Sequence, residues 1–470
     1  MKPRRMGTTK LVLLLLVASL AGCASYSSRP LDPAVEQAAF AARTFADPGL
    51  QRFLDAQGLP TAAWTLDRLT GVAWYYHPDL DTARAQWQAA RAAAITAGAR
   101  PNPTISGSAE YNTDAAPGAS PWARGLGLSV PIETAGKRRQ RIAQAVALTD
   151  AARFELVDMA WQVRGRVRAE LLGIASTEAL LRRQQALEAE RVRLMQRRIE
   201  LGFAAQPDLT SARIALQQIT VAVDEAHKQQ AEHRAALAGA LGLPVAALDS
   251  MTPELSAFER VPTLDALPSS QAQRQALLQR PDLQAALARY RASDAGLRLE
   301  FARQYPDLTL SPGLLWDAGQ AKWSLGLSLV LPLLNRNQGR IAEAKARREQ
   351  AAANVLAVQA KAIGQAEQAQ ASVRAALDKL RNAEALVASQ QRKVQSARRL
   401  QRAGESERST TLGAQVELAA AEVTRQATQV QVQQALGALE DAQRRPLDGG
   451  AFAPLPAIET TPRAQQDIAR

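Results

Sequence analysis

The sequence predicts a mixed α and β membrane protein, built twice over as a unit of helix, two strands, long helix and helix. Three features carry that expectation. The chain repeats itself after about 200 residues, it holds two long proline-free stretches rich in helix formers, and four short stretches alternate with a period of two.

The repeat comes first because it organises the rest. His77-Pro78-Asp79-Leu80 is echoed by Arg280-Pro281-Asp282-Leu283, and Asn102-Pro103-Thr104-Ile105 by Tyr305-Pro306-Asp307-Leu308. Gly125-Leu126-Gly127-Leu128-Ser129-Val130-Pro131 returns as Leu325-Gly326-Leu327-Ser328-Leu329-Val330-Leu331-Pro332. Arg141-Ile142-Ala143-Gln144-Ala145 matches Arg340-Ile341-Ala342-Glu343-Ala344. Gly202 matches Gly404, and Gly239-Ala240-Leu241 matches Gly437-Ala438-Leu439. Matches in one order at offsets of 198 to 203 mean a duplicated structural unit. The expected division is a first repeat over 61–243, a linker over 244–269, a second repeat over 270–445 and a tail over 446–470.

Residues 61–98 and 270–303 are rich in Ala and Arg, with apolar residues three and four apart, the mark of a helix. No proline interrupts the chain between Pro131 and Pro207, or between Pro332 and Pro446. Long helices are expected over about 137–200 and 338–402. The first would run on the order of 95 Å, longer than a compact domain of this size is wide. Gly202 and Gly404 fall where each helix must turn back, and glycine supplies the left-handed conformation such a turn needs.

The strands are expected at about 103–113, 121–131, 306–316 and 322–332. In each, one face is apolar and the other small or polar: Leu126, Leu128 and Val130 oppose Gly125, Gly127 and Ser129, for example. Such strands suit a half-buried sheet in water or a tilted membrane strand. Tyr111, Trp122, Trp316 and Trp323 lie at strand ends, where membrane barrels carry aromatic girdles. Arg124 and Pro312 are exceptions on the apolar face. Four strands cannot close a barrel, and open edges are forbidden in lipid, so an oligomeric barrel is expected. Two copies would give eight strands and a filled interior; three would give twelve and a lumen.

The amino terminus reads as an address. Lys2, Arg4, Arg5 and Lys10 precede an apolar run from Leu11 to Leu20, too short to span a membrane as a helix. The run ends at Leu20-Ala21-Gly22-Cys23, which resembles the lipobox of bacterial lipoproteins. Residues 1–22 are therefore expected to be removed, and Cys23, the chain's only cysteine, to carry the lipid anchor, followed by an extended segment to residue 60. Ala24, and not Asp, follows it, as suits sorting to the outer membrane. Removal of four basic and no acidic residues lowers the formal charge from +12 to +8.

Strand pair, then very long helix, duplicated behind a lipobox, resembles the TolC family of outer membrane efflux channels. The resemblance rests on Leu128-Ser129-Val130-Pro131-Ile132-Glu133 with Gly136-Lys137-Arg138, and on Leu331-Pro332-Leu333-Leu334-Asn335-Arg336-Asn337-Gln338-Gly339. The second is most like the branch serving heavy-metal pumps of the resistance-nodulation-division type. It covers roughly 60–445. The resemblance implies a homotrimer with a 12-stranded β-barrel in the outer membrane lipid and a long periplasmic α-helical barrel. It further implies an exit duct for heavy-metal cations or drugs, docked to a periplasmic adaptor (membrane fusion) protein and an inner-membrane pump. The adaptor-contacting tips would fall at 198–210 and 400–412, with Gly202, Asp208, Gly404, Glu405 and Glu407 as contact residues. An ordinary solvated helical turn is the other reading of those residues. The family usually sets an aromatic three residues before the tip glycine; this chain has Ile199 and Gln401.

No enzyme signature is present: there is no Walker P-loop, no H-E-x-x-H and no G-x-S-x-G. No cofactor and no metal site are expected. His227 and His233 stand six apart, on different faces of a helix, and read as solvated. Basic residues are mixed with acids along the helices, which is a solvated surface and not a nucleic-acid groove. The competing class is a periplasmic coiled-coil scaffold or adaptor lipoprotein, which would share the helices and need no membrane strands.

Overall fold

The computed structural model describes residues 26–59, 63–114, 118, 120–175, 178–263 and 270–447. Cys23 and most of the 446–470 tail lie outside the described residues. Residues 1–43 form one unit and 44–470 another. In the first, α1 covers Pro33–Ala41. The second opens with α2, Pro48–Ala56. The extended segment expected here is thus partly helical. The signals are local: Asp32 and Asp47 each cap a helix whose first residue is proline, and each carboxylate accepts a backbone N–H of the first turn.

The first repeat comprises α3 (Leu66–Tyr76), α4 (Pro78–Ala97), β1 (Thr104–Tyr111), β2 (Trp122–Ile132), α5 (Lys137–Ile174), α6 (Glu178–Glu200) and α7 (Gln206–Leu241). Two short 3-10 turns, Val245–Ser250 and Ser256–Phe258, lie between the repeats. The second repeat comprises α8 (Ser270–Leu278), α9 (Pro281–Ala302), β3 (Leu308–Asp317), β4 (Gln320–Leu329), α10 (Gln338–Arg402) and α11 (Arg408–Gln443). The echoed His-Pro-Asp-Leu and Arg-Pro-Asp-Leu sequences begin α4 and α9, with proline at the first helical turn of each.

The repeats differ in one respect that sequence reading missed. α10 runs unbroken for 65 residues, roughly 100 Å, whereas the helix expected over 137–200 is divided into α5 and α6. Ala175 leaves the helical region at ψ 65°, and the adjoining sequence Gly173, Ser176 and Thr177 is poor in helix propensity.

The largest core lies where α2, α3, α5 and α7 meet the inter-repeat segment. Leu50, Leu69, Val72, Leu156, Val163, Val167, Leu171, Leu237 and Leu241 are wholly buried there. Beside it the repeats are joined by a buried ionic cluster between α5 and α11. Arg164 lies 2.9 Å from Glu440, Arg168 reaches the same carboxylate at 3.5 Å, and Trp161 donates to Asp441 at 2.8 Å. Arg168 also donates to the Gln433 carbonyl at 2.8 Å. A side chain at Gly437 would overlap the Arg168 guanidinium, so glycine is what admits the cation. Burial pushes the Asp441 carboxyl up and the Arg168 guanidinium down, which is why each needs its partners.

Truncating one member should expose that dependence. Glu440→Ala leaves two buried guanidinium groups without their shared carboxylate and is expected to cost roughly 3 kcal/mol. Thermal or denaturant unfolding followed by circular dichroism in detergent would measure it; an unchanged midpoint would contradict the role assigned to the cluster.

Candidate functional site

The strands form one antiparallel sheet in the order β1-β2-β3-β4, so β2 and β3 join the two repeats. Register assigns the faces, because directly paired residues share a side. One face carries Ile105 with Leu128, Leu126 with Leu314, Ile132 with Leu308, and Leu310 with Leu327. The row is most open on β1 and β4, where Ile105 and Leu325 are each 71% exposed, while Leu308, Leu310 and Leu314 of β3 are half-buried. So large an apolar patch implies an apolar environment or a partner.

The other face is low and polar, and its pairing has a rule. Serine stands opposite glycine four times: Ser106 with Gly127, Ser108 with Gly125, Ser311 with Gly326 and Ser324 with Gly313. A Cβ at Gly125 would lie 2.5 Å from the Ser108 hydroxyl, and one at Gly127 2.8 Å from that of Ser106. The glycines let hydroxyls lie flat against the sheet, so this face protrudes little. Leu315 is the apolar exception, directly paired with Gly125. Pro312 has no N–H to give, and the β2–β3 register is interrupted opposite it. Ser129 and Ser311 approach to 3.3 Å across that gap.

All four aromatic candidates share the apolar face near the hairpin end, away from the helices. Tyr111 pairs with Trp122, their rings edge to face at 5.0 Å. Trp316 pairs with Arg124, and Trp323 with Leu314, one step further along the sheet. β3 and β4 join through Ala318 and Gly319, both at positive φ, as a two-residue hairpin requires.

At the opposite end, strand passes into helix through a set of charged clamps. Asp307 accepts the Thr134 N–H at 2.9 Å and the Lys137 ammonium at 2.7 Å. Lys137 also donates to the Tyr305 carbonyl at 2.6 Å. Arg141 pairs with Glu133 at 2.6 Å and donates to the carbonyls of Ala97, the last residue of α4, and Ala99 just beyond it. In the second repeat Asn337, at φ 64°, donates to the Glu300 carbonyl and carboxylate. Hydrogen bonding from Arg141 holds the Glu133 carboxyl below its ordinary range. At Asp307 burial works the other way, but hydrogen bonds from Lys137 and Thr134 outweigh it and lower that carboxyl too.

At the far ends of the helices, both turns close identically. Gly202 N–H reaches the Ile199 carbonyl and Phe203 N–H the Arg198 carbonyl; Gly404 and Glu405 repeat this with Gln401 and Leu400. Gly202 and Gly404 stand at φ 78° and 77°, the left-handed residue of a Schellman motif. Asp208 accepts the Ala205 N–H at 3.2 Å, so it caps α7. Glu405 is exposed. Glu407 is bound to Arg198 of the other repeat and accepts from Ser409 at 2.9 Å, bonds that lower its carboxyl. Arg198 was missed in the sequence. It belongs to a line of ion pairs between α6 and α11, with Glu190–Arg408 and Arg183–Glu422. Opposite charges on two helices give no sequence signal until the helices are known to be neighbours.

Among the described residues no group of three or more His, Cys, Asp or Glu could hold a metal ion. His233 is bonded to Glu170 at 2.9 Å, and His227 lies 3.7 Å from Glu178. No helix among the described residues is long and apolar enough to cross a membrane.

This arrangement defines a class of transport protein. The sequence matches the outer membrane efflux protein family over residues 73–243 and 272–443, one match per repeat. The chain belongs to the outer membrane efflux protein family and resides in the outer membrane, with its helices extending into the periplasm. CzcC of Cupriavidus metallidurans, a cobalt-zinc-cadmium resistance protein, is 30% identical over 228 residues, 46% of this chain. That match spans about half, 51%, of CzcC. OpmQ of Pseudomonas putida, a pyoverdine export outer membrane protein, is 28% identical over 335 residues, 63% of this chain and 68% of OpmQ. Among solved structures, the outer-membrane channel OprN superposes with a TM-score of 0.66 at 20% identity, over 91% of this chain and 98% of OprN. VceC of Vibrio cholerae does so with 0.66 at 20%, over 86% and 98%. These likenesses show the shared fold.

The clamps give a pH dependence whose sign follows from the lowered carboxyls. A group with a depressed folded pKa stabilises above its unfolded value, about 3.9 for Asp and 4.3 for Glu, and loses that contribution as pH falls through the folded value. The melting temperature in detergent is therefore expected to fall between about pH 5 and 3. Asp307→Asn should melt lower at pH 7 and vary less over that window. Equal slopes for variant and wild type would refute the assignment.

Proposed function

We propose that three copies of the chain close a twelve-stranded barrel and form the outer-membrane exit duct of a tripartite efflux pump. The observation that carries this is the sheet: apolar outside, low and hydroxyl-lined inside, with β1 and β4 each unpaired along one edge. In lipid an edge without partners is too costly to persist. Joining β4 of one copy to β1 of the next removes every edge at once, and twelve strands leave a lumen where eight would be filled. The scaffold alternative offers no use for an exposed apolar sheet. Tyr111, Trp122, Trp316 and Trp323 would then sit at the outer interface of the membrane, and Cys23 would anchor the chain in its inner leaflet.

The helical tips at 198–210 and 400–412 are the adaptor-contacting end. Gly202 and Gly404 shape the turns, Leu201 and Phe203 stand 64% and 71% exposed, and Glu405 is free for a partner. Asp208 and Glu407 act there through the shape they impose, since one caps a helix and the other ties the tips together. The adaptor in turn links the duct to an inner-membrane pump of the resistance-nodulation-division type. Conduction is passive, and gating is movement of the tips against their mutual ion pairs.

Purified in detergent, the protein is expected to run as a trimer and to give discrete conductance steps in a planar bilayer. A fatty-acid label should be present in the wild type and absent in Cys23→Ser. A monomer that stays soluble without detergent would end the channel reading.

For the cargo we favour divalent heavy-metal cations, on the likeness to CzcC and the Asn335-Arg336-Asn337-Gln338-Gly339 turn. The likeness to OpmQ supports a second reading, export of an organic chelator. A deletion strain is expected to become several-fold more sensitive to cobalt, zinc or cadmium. Unchanged metal tolerance with a loss of chelator export would favour the second reading.

A further inference from the structure

One cation stands on the apolar face. Arg124 belongs to the outward row of β2, between Trp122 and Leu126 along the strand, and between Ala109 of β1 and Trp316 of β3 across it. It is exposed, and no ion pair or hydrogen bond engages it among the described residues. The acid next in register, Glu110, pairs with Ala123 and so faces the other side. Asp317 is held by Lys322 at 2.8 Å, also on the inner face. Among the described residues no acid stands beside Arg124 on its face of the sheet.

Its depth is fixed by the same register. Arg124 lies one pairing step inside Tyr111–Trp122, level with Trp316, and one step outside the row of Leu126, Leu314 and Trp323. Aromatic rings of this kind mark the boundary between hydrocarbon and headgroups. A guanidinium in hydrocarbon is costly, and that cost largely vanishes at the boundary, where it meets polar groups. Because the helices leave from the other end of the sheet, this boundary is the outer leaflet. A second copy is not the partner, since β2 is flanked by β1 and β3 of its own chain and further strands add only beyond β1 or β4. Among the described residues nothing on this face answers the charge, and lipid headgroups lie at the same level.

Resting on the barrel reading above, we propose that Arg124, framed by Trp122 and Trp316, is a binding site for the phosphate of an outer-leaflet glycolipid of the lipid A type. The planar guanidinium presents paired donors that match two phosphate oxygens, which a lysine cannot reproduce. Trp316 is its direct cross-strand pair and Trp122 its neighbour on the same face of β2, so two indoles stand at the same depth. The occupant is a phosphorylated sugar headgroup because that lipid fills the leaflet the hairpin end faces.

The test uses the full-length protein in phosphatidylcholine nanodiscs doped with bis-phosphorylated lipid A, with the same lipid dephosphorylated, or with phosphatidylglycerol. Lipid retained through detergent exchange is counted by native mass spectrometry. The wild type is expected to keep lipid A about tenfold better than its dephosphorylated form, Arg124→Gln to lose that preference, and Arg124→Lys to keep part of it. Equal retention of the two lipid A forms by the wild type, or undiminished preference in Arg124→Gln, would overturn the site. Phosphatidylglycerol retained as well as lipid A would overturn the glycolipid assignment. The comparison of lipids needs no variant, so it decides even if Arg124→Gln does not fold. A wild type that conducts and ignores the phosphates refutes this site alone, whereas one that neither inserts nor conducts refutes the channel.

Discussion

The free edges of β1 and β4 are the constraint on which the rest of the molecule turns. A sheet with one apolar face and two unpaired edges is unstable alone in water, because of the face, and alone in lipid, because of the edges. Among the described residues no strand pairs with either edge. The helices satisfy their own backbone groups, whereas the outer edges of β1 and β4 do not, and the proposed barrel is what would pair them. The serine and glycine pairs of the polar face suit the same end, since they keep the hydroxyls flat against the sheet.

Two other devices transmit that constraint along the chain. At the base of the sheet, Lys137–Asp307 and Arg141–Glu133 hold strand ends to helix starts and to the end of α4. Further along, the buried carboxylate of Glu440 binds two guanidinium groups of α5 and fixes one repeat against the other. Both sites cross between repeats, so neither half of the duplication is complete alone. The ion pairs near the tips are of another kind. They are exposed and screened by water, so each contributes little and they can part without cost to the core. A firm middle with weakly tied ends is consistent with the gating proposed for the tips.

Much of this was legible in the residues. Period-two alternation located the strands to within a few positions, and the echoed glycines located both turns, because these signals are local and steric. Proline at the first turn of α1 and α2 was equally local, and was overlooked among irregular sequence. The break after Ile174 was harder, since Gly173, Ser176 and Thr177 lower helix propensity without abolishing it. The ion pair of Glu407 with Arg198 is invisible in the sequence, which shows which residues are charged and not which helices adjoin.

The sequence by itself determined the duplication, the element types, the apolar and polar faces of each strand and the turns at the tips. Each depends on periodicity or on a residue's own backbone preference. Only the tertiary structure decided that β2 pairs with β3, that serine falls opposite glycine, that α5 and α11 share a buried carboxylate, and that Arg124 stands level with Trp316. These depend on contacts between residues far apart in the chain, whose energies appear only when the folded backbone brings them together.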